Sequence, residues 1–362
     1  MIRLIVLNDT QMFKLNKNQR AILLILGEKG ALSSSGARGE LTKRGEDISL
    51  VTVKRLLAEM KTLGLIESTG AGRAVTYTVS SLGRMFATPN AAAYCALEPD
   101  KRYGAKNYNF ALFDATPGNL FSAEEMAILE EATAAYRQKV TNVSLVIREK
   151  ELERFIIELS WKSSKIEGNT YTLLDTQKLI ERGVEAPGHD KKEMSMILNH
   201  KNAFKFAREH LTYFKKLNKA GLEEIHKILV KDLDVNSGWR QKPVGITGSI
   251  YRPLDNQHQI TEAVTALINA ANRAKNVYTK ALITLAGVGY VQPFEDGNKR
   301  AARLMANALL IADGGAPLSY RSVDENVYRE AIFVFYELNS IMPLKKIFIE
   351  QYLFATENYL VV

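Results

Sequence analysis

Residues 292–303 read Gln-Pro-Phe-Glu-Asp-Gly-Asn-Lys-Arg-Ala-Ala-Arg and follow an apolar run over residues 281–291. The Asp-Gly-Asn centre is typical of a turn, and the sequence from Lys299 onward favours a helix. A helix that begins at such a turn presents free backbone N–H groups, which attract an anion. Arg300 and Arg303 are three residues apart, so both project near this site. The pattern predicts an anion site rather than a capped helix with two solvated arginines.

Asp296 lies just before this helix and supplies the type of oxygen ligand that a divalent cation takes when it bridges phosphates. An acidic residue, a group of free amides and two arginines therefore fall within eight positions. This combination predicts a binding site for a triphosphate.

These residues resemble the Fic family signature, HxFx(D/E)GNGRxxR. The matching positions are Phe294, Asp296, Gly297, Asn298, Arg300 and Arg303. Gln292 stands in place of the signature histidine, and Lys299 replaces the last glycine. In the family the histidine is the general base that takes the proton of a target hydroxyl, and a glutamine amide does not titrate near neutral pH. The resemblance implies a protein adenylyltransferase, which transfers AMP to a protein hydroxyl, with activity impaired by Gln292.

The same resemblance implies ATP and Mg²⁺ as cofactors. It assigns the metal to Asp296, the α- and β-phosphates to Asn298 and Arg300, and the γ-phosphate to Arg303. The nucleotide-binding residues that it implies are Gly297, Asn298, Lys299, Arg300 and Arg303. Lys299 also resembles the Doc branch of the family, so phosphoryl transfer of the Doc type stays open as an alternative.

Residues 163–169, Ser-Ser-Lys-Ile-Glu-Gly-Asn, resemble the inhibitory helix of the family, (S/T)xxxE(G/N), with Ser163, Glu167 and Gly168 matching. The expected inhibitory helix spans about residues 151–168. Ser163 and Glu167 are four apart and share one helix face, and the glycine favours a helix end. In the family this glutamate pairs with the second signature arginine, here Arg303, and displaces the γ-phosphate, because a carboxylate and a phosphate compete for one guanidinium.

Short apolar stretches around a glycine-containing turn predict a small β-hairpin at residues 244–251. This hairpin resembles the Fic flap, which aligns the modifiable segment of a target protein by strand addition. The alternative is an ordinary surface hairpin.

At 362 residues the chain is long enough for two domains, and 46% hydrophobic and 24% charged residues are typical of a soluble globular protein. The start of the chain lacks the pattern of a signal peptide, and no apolar run approaches the length of a membrane span. Cys95 is the single cysteine, which excludes an internal disulfide and suits a cytoplasmic location. The histidines show no ligand spacing for zinc.

The basic charge of the chain is concentrated at its start. Residues 1–86 carry 13 Lys/Arg against 7 Asp/Glu, a net charge of +6, out of +8 for the whole chain. The rest of the chain supplies only +2. The N-terminal part is therefore the expected contact with a polyanion.

Residues 18–26 and 36–44 predict two helices, and Ser49 can cap a third. Two predicted strands, residues 65–68 and 74–79, follow. This order resembles a winged helix-turn-helix, in which the third helix enters the major groove of duplex DNA. The DNA-binding residues it implies are Thr52, Lys54 and Arg55 on the helix and Arg73 on the wing. A protein-docking module is the alternative.

The predicted organisation is a winged-helix (α+β) domain over residues 1–86, a linker over residues 87–120 and a mainly α, Fic-type domain over residues 121–362. Ten helices are predicted in the last part: 122–139, 144–167, 173–181, 191–210, 219–231, 260–274, 278–291, 299–312, 324–339 and 343–358. Family members often dimerise, so a homodimer is an open expectation.

Two other functions compete with protein adenylylation. One is a catalytically inactive, nucleotide-sensing, DNA-binding transcriptional regulator. The other, a plain repressor, leaves the phosphate-binding pattern unexplained.

Overall fold

The computed structural model describes residues 15–361. Within that range, residues 15–79 form three helices and one antiparallel hairpin, in the predicted order. They are α1 (Lys17–Lys29), α2 (Ser34–Lys43), α3 (Leu50–Thr62), β1 (Ile66–Thr69) and β2 (Thr76–Val79). The Ser49 hydroxyl accepts the Thr52 N–H and caps α3, as predicted. Every element that the sequence predicts for this module is present, with ends that differ by three residues at most.

The apolar spacing in these helices forms the core of the module. Ile22 and Leu26 of α1 and Val53 and Leu57 of α3 are all buried. These residues belong to one buried cluster, as expected for the apolar stripes of amphipathic helices.

The predicted linker, residues 87–120, is not a free tether. The linker contains helix α5 (Ala91–Cys95). Another helix that the sequence did not predict, α4 (Ser81–Phe86), lies directly before the linker. The Met85 carbonyl accepts the Ile341 N–H at 3.1 Å, and the Ala87 carbonyl accepts the Ser340 hydroxyl at 2.6 Å. The N-terminal module and the C-terminal part of the chain are therefore packed together at this point.

The remaining described residues are mainly helical, and all ten predicted helices are present with ends that differ by three residues at most. They are α6 (Ala123–Thr141), α7 (Leu145–Ile166), α8 (Leu173–Arg182), α9 (Lys191–Glu209), α10 (Lys219–Leu229), α11 (Gln257–Arg273), α12 (Val277–Val291), α13 (Asn298–Ala312), α14 (Glu325–Leu338) and α15 (Met342–Asn358). Helix α12 is almost entirely apolar and buried, so it lies at the centre of the domain and packs against α11 and α13.

The predicted hairpin at residues 244–251 is wrong as a strand pair. The segment forms one turn, closed by a 3.1 Å hydrogen bond from the Ser249 N–H to the Ile246 carbonyl, and the hairpin found in the described residues is β1–β2. Side chains from other elements bond two backbone groups of the segment. Arg102 donates to the Gly248 carbonyl, and Glu337 accepts the Ile250 N–H.

Candidate functional site

The loop between α12 and α13 is a tight turn whose two ends need left-handed backbone. Gln292 ends α12 at φ 51°, and Gly297 begins α13 at φ 80°, where glycine is favoured. The Asn298 amide nitrogen donates to the Gln292 Oε1 and to the Phe294 carbonyl, both at 2.9 Å. Both of its N–H groups are therefore used inside the loop, and only the backbone N–H of Asn298 can face a ligand.

Gln292 is buried, and its side chain is fixed on both sides. Its Nε2 donates to the Gly289 carbonyl at 2.6 Å, while its Oε1 accepts from Asn298. The amide of Gln292 thus stabilises the loop, and it does not titrate near neutral pH.

Two aromatic groups hold Phe294 in place beneath the loop. The His226 ring stacks on Phe294 with centroids 3.6 Å apart, and Trp239 stacks on it at 5.1 Å. The His226 Nε2 lies 2.9 Å from the Asp296 carbonyl oxygen, to which it donates. Burial lowers the pKa of His226 to about 4, so this ring is neutral at pH 7. No sequence pattern predicts this contact, because His226 lies 70 residues from Asp296 along the chain.

The two arginines of α13 are buried, unlike the solvated arginines of the simpler interpretation. The Arg300 Nη2 donates to the Asp296 Oδ2 at 2.9 Å. Arg303 donates from Nε to the Ser163 hydroxyl at 2.8 Å, and from Nη2 to the Glu167 Oε1 at 2.9 Å. In the described part of the chain the Nη1 of each arginine is buried without a hydrogen-bond partner. Each guanidinium therefore keeps donor capacity for an anion.

Glu167 ends α7 and lies between two cations. Besides Arg303, its carboxylate contacts Lys299, whose Nζ is 3.1 Å from Oε2. Burial alone would raise the pKa of Glu167, but the charges of Arg303 and Lys299 outweigh it and hold this pKa below its ordinary value. Glu167 is therefore ionised at neutral pH. Glu167 contacts Arg303, the partner that the resemblance implies, and Ser163 contacts Arg303 as well, which the sequence did not predict. Gly168 follows at φ 97°.

His200 of α9 is a further buried group near the arginines that the sequence did not single out. Its side chain is fully buried, and neither ring nitrogen has a hydrogen-bond partner among residues 15–361. Burial, followed by the positive charges of Arg303 and Arg300, lowers the pKa of His200 well below its ordinary value. The ring is neutral and adds no charge to the site.

These elements border an open cleft of about 370 Å³, a size typical of small-molecule sites. The loop forms its floor, Glu167 and Gly168 one end, and Arg329 and Phe333 of α14 one wall. Val244, Gly245, Ile246 and Thr247 also line the cleft. The segment that was predicted as a flap hairpin thus lines the cleft, although it is not a hairpin.

The Asp296 side chain is 66% exposed, which leaves its second carboxylate oxygen open to the cleft. Across the described residues no group of three or more His, Cys, Asp or Glu is arranged to hold a metal ion. A divalent cation here would have one protein carboxylate and would depend on ligand phosphates for the rest of its coordination, as Mg²⁺ often does.

The predicted DNA-binding residues lie apart from the cleft, in the N-terminal module. Lys54 and Arg55 of α3 are exposed, Thr52 is partly buried, and Arg73 is exposed on the turn between β1 and β2. Arg55 also forms a 2.6 Å ion pair with Glu59, which partly neutralises the charge that its guanidinium would present to DNA.

The sequence was compared with known families and with curated proteins. Residues 216–310 match the model described as the Fic/DOC family. The chain is 28% identical over 176 residues to the protein adenylyltransferase Fic of Nematostella vectensis, an alignment that covers 47% of this chain and 41% of that relative. It is 26% identical over 168 residues to the protein adenylyltransferase Fic of Drosophila virilis, covering 44% and 33%. Residues 216–310 are a Fic/DOC family region.

The chain is a distant relative of Fic protein adenylyltransferases, and the aligned region spans less than half of the length of these curated relatives. Two solved structures share its fold. A Fic domain containing signaling protein from Bacteroides thetaiotaomicron has a TM-score of 0.52 at 19% identity and covers 64% of this chain and 94% of its own. A Fic family protein from Desulfovibrio desulfuricans has a TM-score of 0.55 at 19% identity, covering 67% and 75%.

Between residues 15 and 361, no helix is both long enough and apolar enough to cross a bilayer.

Proposed function

We propose that the cleft binds Mg-ATP and that the chain is a protein adenylyltransferase of the Fic type whose transfer activity is reduced by Gln292. The observation that carries this proposal is the state of Arg300 and Arg303. Both guanidinium groups are buried, each is neutralised by a single carboxylate beside the cleft, and each keeps one unpaired Nη1. Buried arginines with spare donors favour phosphate oxygens, which they bind in bidentate geometry.

A divalent cation fits this arrangement. Asp296 is the exposed carboxylate of the loop and would hold Mg²⁺, and the cation would neutralise charge on the phosphates when it is bound. If the Asp296 carboxylate turned to a cation, the Arg300 Nη2 would be released from its ion pair. Arg300 could then donate to phosphate oxygens from both terminal nitrogens.

Glu167 is proposed to compete with the terminal phosphate. Its carboxylate accepts the Arg303 Nη2 at 2.9 Å and is ionised, so it presents to Arg303 the same kind of oxygen as a phosphate. Lys299 holds the other oxygen of Glu167. A triphosphate must therefore displace the carboxylate from two cations before Arg303 is free.

Gln292 is proposed to limit transfer rather than binding. At the end of α12 its amide can orient a hydroxyl but cannot accept the proton, and general-base catalysis typically contributes about 10²–10⁴-fold to a rate. We therefore expect the wild-type chain to bind Mg-ATP and to transfer little of it.

The test is incubation with ATP labelled at the α- or the γ-phosphate in parallel, with the wild type and with Glu167→Gly. Protein label from α alone means AMP transfer, and label from γ alone supports the Doc-type alternative. Calorimetry on the same two proteins measures Mg-ATP affinity, which we expect to be about tenfold tighter in Glu167→Gly, because Arg303 is freed. Equal affinity in both proteins, or binding by neither, would overturn the proposal.

A second candidate function, a nucleotide-sensing DNA-binding regulator, is favoured by the surface of the N-terminal module. Lys54, Arg55 and Arg73 are exposed there, and residues 1–86 carry a net charge of +6. Lys54→Ala with Arg55→Ala should weaken binding of the full chain to duplex DNA and should flatten the dependence of affinity on salt. Lys61→Ala, an exposed lysine at the end of α3, is the matched control. No salt-dependent retention of any duplex by the wild type would favour a protein-docking module.

A further inference from the structure

Glu337 of α14 is a fully buried carboxylate that joins two distant segments of the chain. Its Oε1 accepts the Ser249 hydroxyl at 2.7 Å and the Ile250 N–H at 3.2 Å, both from the cleft segment, residues 244–251. Its Oε2 accepts the Tyr94 hydroxyl at 2.7 Å, and its Oε1 also accepts the Arg102 Nη1 at 3.1 Å. The last two donors belong to the linker, so one side chain holds the linker and the cleft segment together.

Arg102 connects the same two segments directly. Its Nη1 donates to the Gly248 carbonyl at 2.9 Å, and its other nitrogens donate to the carbonyls of Cys95 and Leu97, each at 3.0 Å. The guanidinium carbon lies 5.9 Å from the ring centroid of Phe333, a cleft-lining residue. With every nitrogen bonded and its side chain 5% exposed, Arg102 has one well-defined position.

The residues after Arg102 continue this connection to the N-terminal module. Tyr103 packs edge-on against Tyr94, with ring centroids 5.1 Å apart, and it borders a small cavity together with Leu23 and Leu24 of α1. Gly104 is so close to both α5 and α14 that an added Cβ would lie 2.4 Å from the Tyr94 hydroxyl oxygen and 2.8 Å from the Glu337 Cβ. Residues 102–104 therefore lie between the cavity at α1 and the cleft segment, with the Tyr103 side chain 38% exposed.

We infer that Arg102 is a positioning residue of the cleft and that, through Arg102 and Glu337, the N-terminal module and the cleft segment are energetically coupled. Both residues lie outside the region that matches the family model, residues 216–310. The inference rests on the proposed function only in taking the cleft as the site of binding. A buried ion pair that also satisfies backbone groups of both segments transmits a displacement of one segment to the other.

Amide hydrogen exchange on the full chain without nucleotide tests the positioning role, so its result does not depend on whether the cleft binds ATP. In Arg102→Ala the amides of residues 244–251 should exchange at least about tenfold faster, the equivalent of about 1.4 kcal/mol. Lys101→Ala, the exposed neighbouring cation, is the control and should leave them unchanged. Unchanged exchange at residues 244–251 in Arg102→Ala would overturn the inference.

Arg102→Ala also leaves Glu337 buried without its cation and can lower stability overall, so two milder variants separate positioning from stability. Arg102→Lys keeps a charge for Glu337 but cannot bond Gly248, Cys95 and Leu97 at once. It should regain most of the midpoint of urea unfolding and little of the protection at residues 244–251. Ser249→Ala removes two hydrogen bonds, the one that the hydroxyl donates to Glu337 and the one that it accepts from the Tyr251 N–H, and should speed exchange there without unfolding the chain. Full recovery of protection in Arg102→Lys would mean that Arg102 contributes charge alone.

Coupling is tested from the side of the N-terminal module. Tyr103→Ala enlarges the small cavity that Tyr103 borders together with α1, and Tyr103 touches no residue of the cleft segment among the described contacts. The variant should nevertheless speed exchange at residues 244–251 about threefold or more. Reciprocally, Ser249→Ala should speed exchange in residues 94–105. If Tyr103→Ala affects only the linker and α1, the two regions are independent and coupling is excluded.

Discussion

Two carboxylate–arginine pairs flank the cleft, Glu167–Arg303 and Glu337–Arg102, and they differ in how much else holds them. Glu337 is fully buried and accepts hydrogen bonds from three other groups besides Arg102. The Glu167 side chain is 17% exposed, ends a helix, borders the cleft and has cations as its side-chain partners. Phosphate oxygens of a ligand are the same kind of hydrogen-bond acceptor for Arg303 and Lys299 as the Glu167 carboxylate. Glu337, in contrast, connects donors from two protein segments inside the core, where a ligand does not reach. The Glu167–Arg303 pair is therefore suited to open when a ligand binds, and is called the exchangeable pair below. The Glu337–Arg102 pair is suited to stay closed.

The largest expected effect comes from restoring a base beside the exchangeable pair. Gln292→His combined with Glu167→Gly should raise self-modification by ATP about 10²–10⁴-fold over the wild type, since one change supplies a titratable group and the other frees Arg303. Residue 292 has left-handed backbone, which histidine tolerates better than most residues. Intact-mass spectrometry measures the adduct. Both single variants are controls, and equal adduct in the wild type and the double variant would show that Gln292 is not limiting.

Removing charge from each pair should separate them by stability. Glu337→Gln should lower the free energy of unfolding by about 3–5 kcal/mol, because it leaves Arg102 buried without its carboxylate. Glu167→Gln should cost less, roughly 1–3 kcal/mol. Mg-ATP at 100 times its Kd should return about 2.7 kcal/mol to a protein that binds it. We expect a larger gain in urea unfolding midpoint for Glu167→Gln than for the wild type at one fixed concentration of Mg-ATP. A rescue of Glu337→Gln to the same degree would contradict the comparison.

The exchangeable pair also has a histidine neighbour, His200, whose pKa differs between the folded and the unfolded chain. His200 is held neutral beside Arg300 and Arg303, whereas the unfolded chain takes up a proton near the ordinary pKa of 6.5. Below this pH the unfolded state binds more protons than the folded state, so stability falls as pH falls, by at most about 1.4 kcal/mol per pH unit. Urea unfolding of the wild type and His200→Gln between pH 7 and 5 should give a shallower slope for the variant. His258→Gln, at an exposed position, is the control, and parallel slopes for all three proteins would refute the expectation.

The smallest effect concerns Lys299, the second cation on Glu167. Lys299→Ala should weaken the hold on the carboxylate and tighten Mg-ATP binding about threefold, the equivalent of about 0.7 kcal/mol. Arg329→Ala, an exposed cation of the same cleft with no contact to Glu167 among the described residues, is the matched control in calorimetry. Weaker binding in Lys299→Ala would mean that the ammonium contacts the phosphates rather than only Glu167.

The sequence predicted most of the backbone. Helices such as α7 and α12 carry strong periodic or continuous apolar patterns and clear caps, so local preferences agreed with the final packing. The hairpin at residues 244–251 failed because its glycines and short apolar stretches indicate a turn but do not identify the hydrogen-bond partners. Those partners, Arg102 and Glu337, are 146 and 88 residues away from Gly248 and Ser249.

The same division holds for the site. By itself the sequence determined which residues meet locally: the Gln292 to Arg303 loop, the helix that follows it, and the shared face of Ser163 and Glu167. Only the tertiary structure decided that Lys299 contacts Glu167, that His226 stacks under Phe294, and that Arg102 of the linker bonds the Gly248 carbonyl. Spacing along one helix or turn is fixed by backbone geometry and can be read from a pattern. Contacts between segments that are far apart along the chain depend on packing, which no local pattern records.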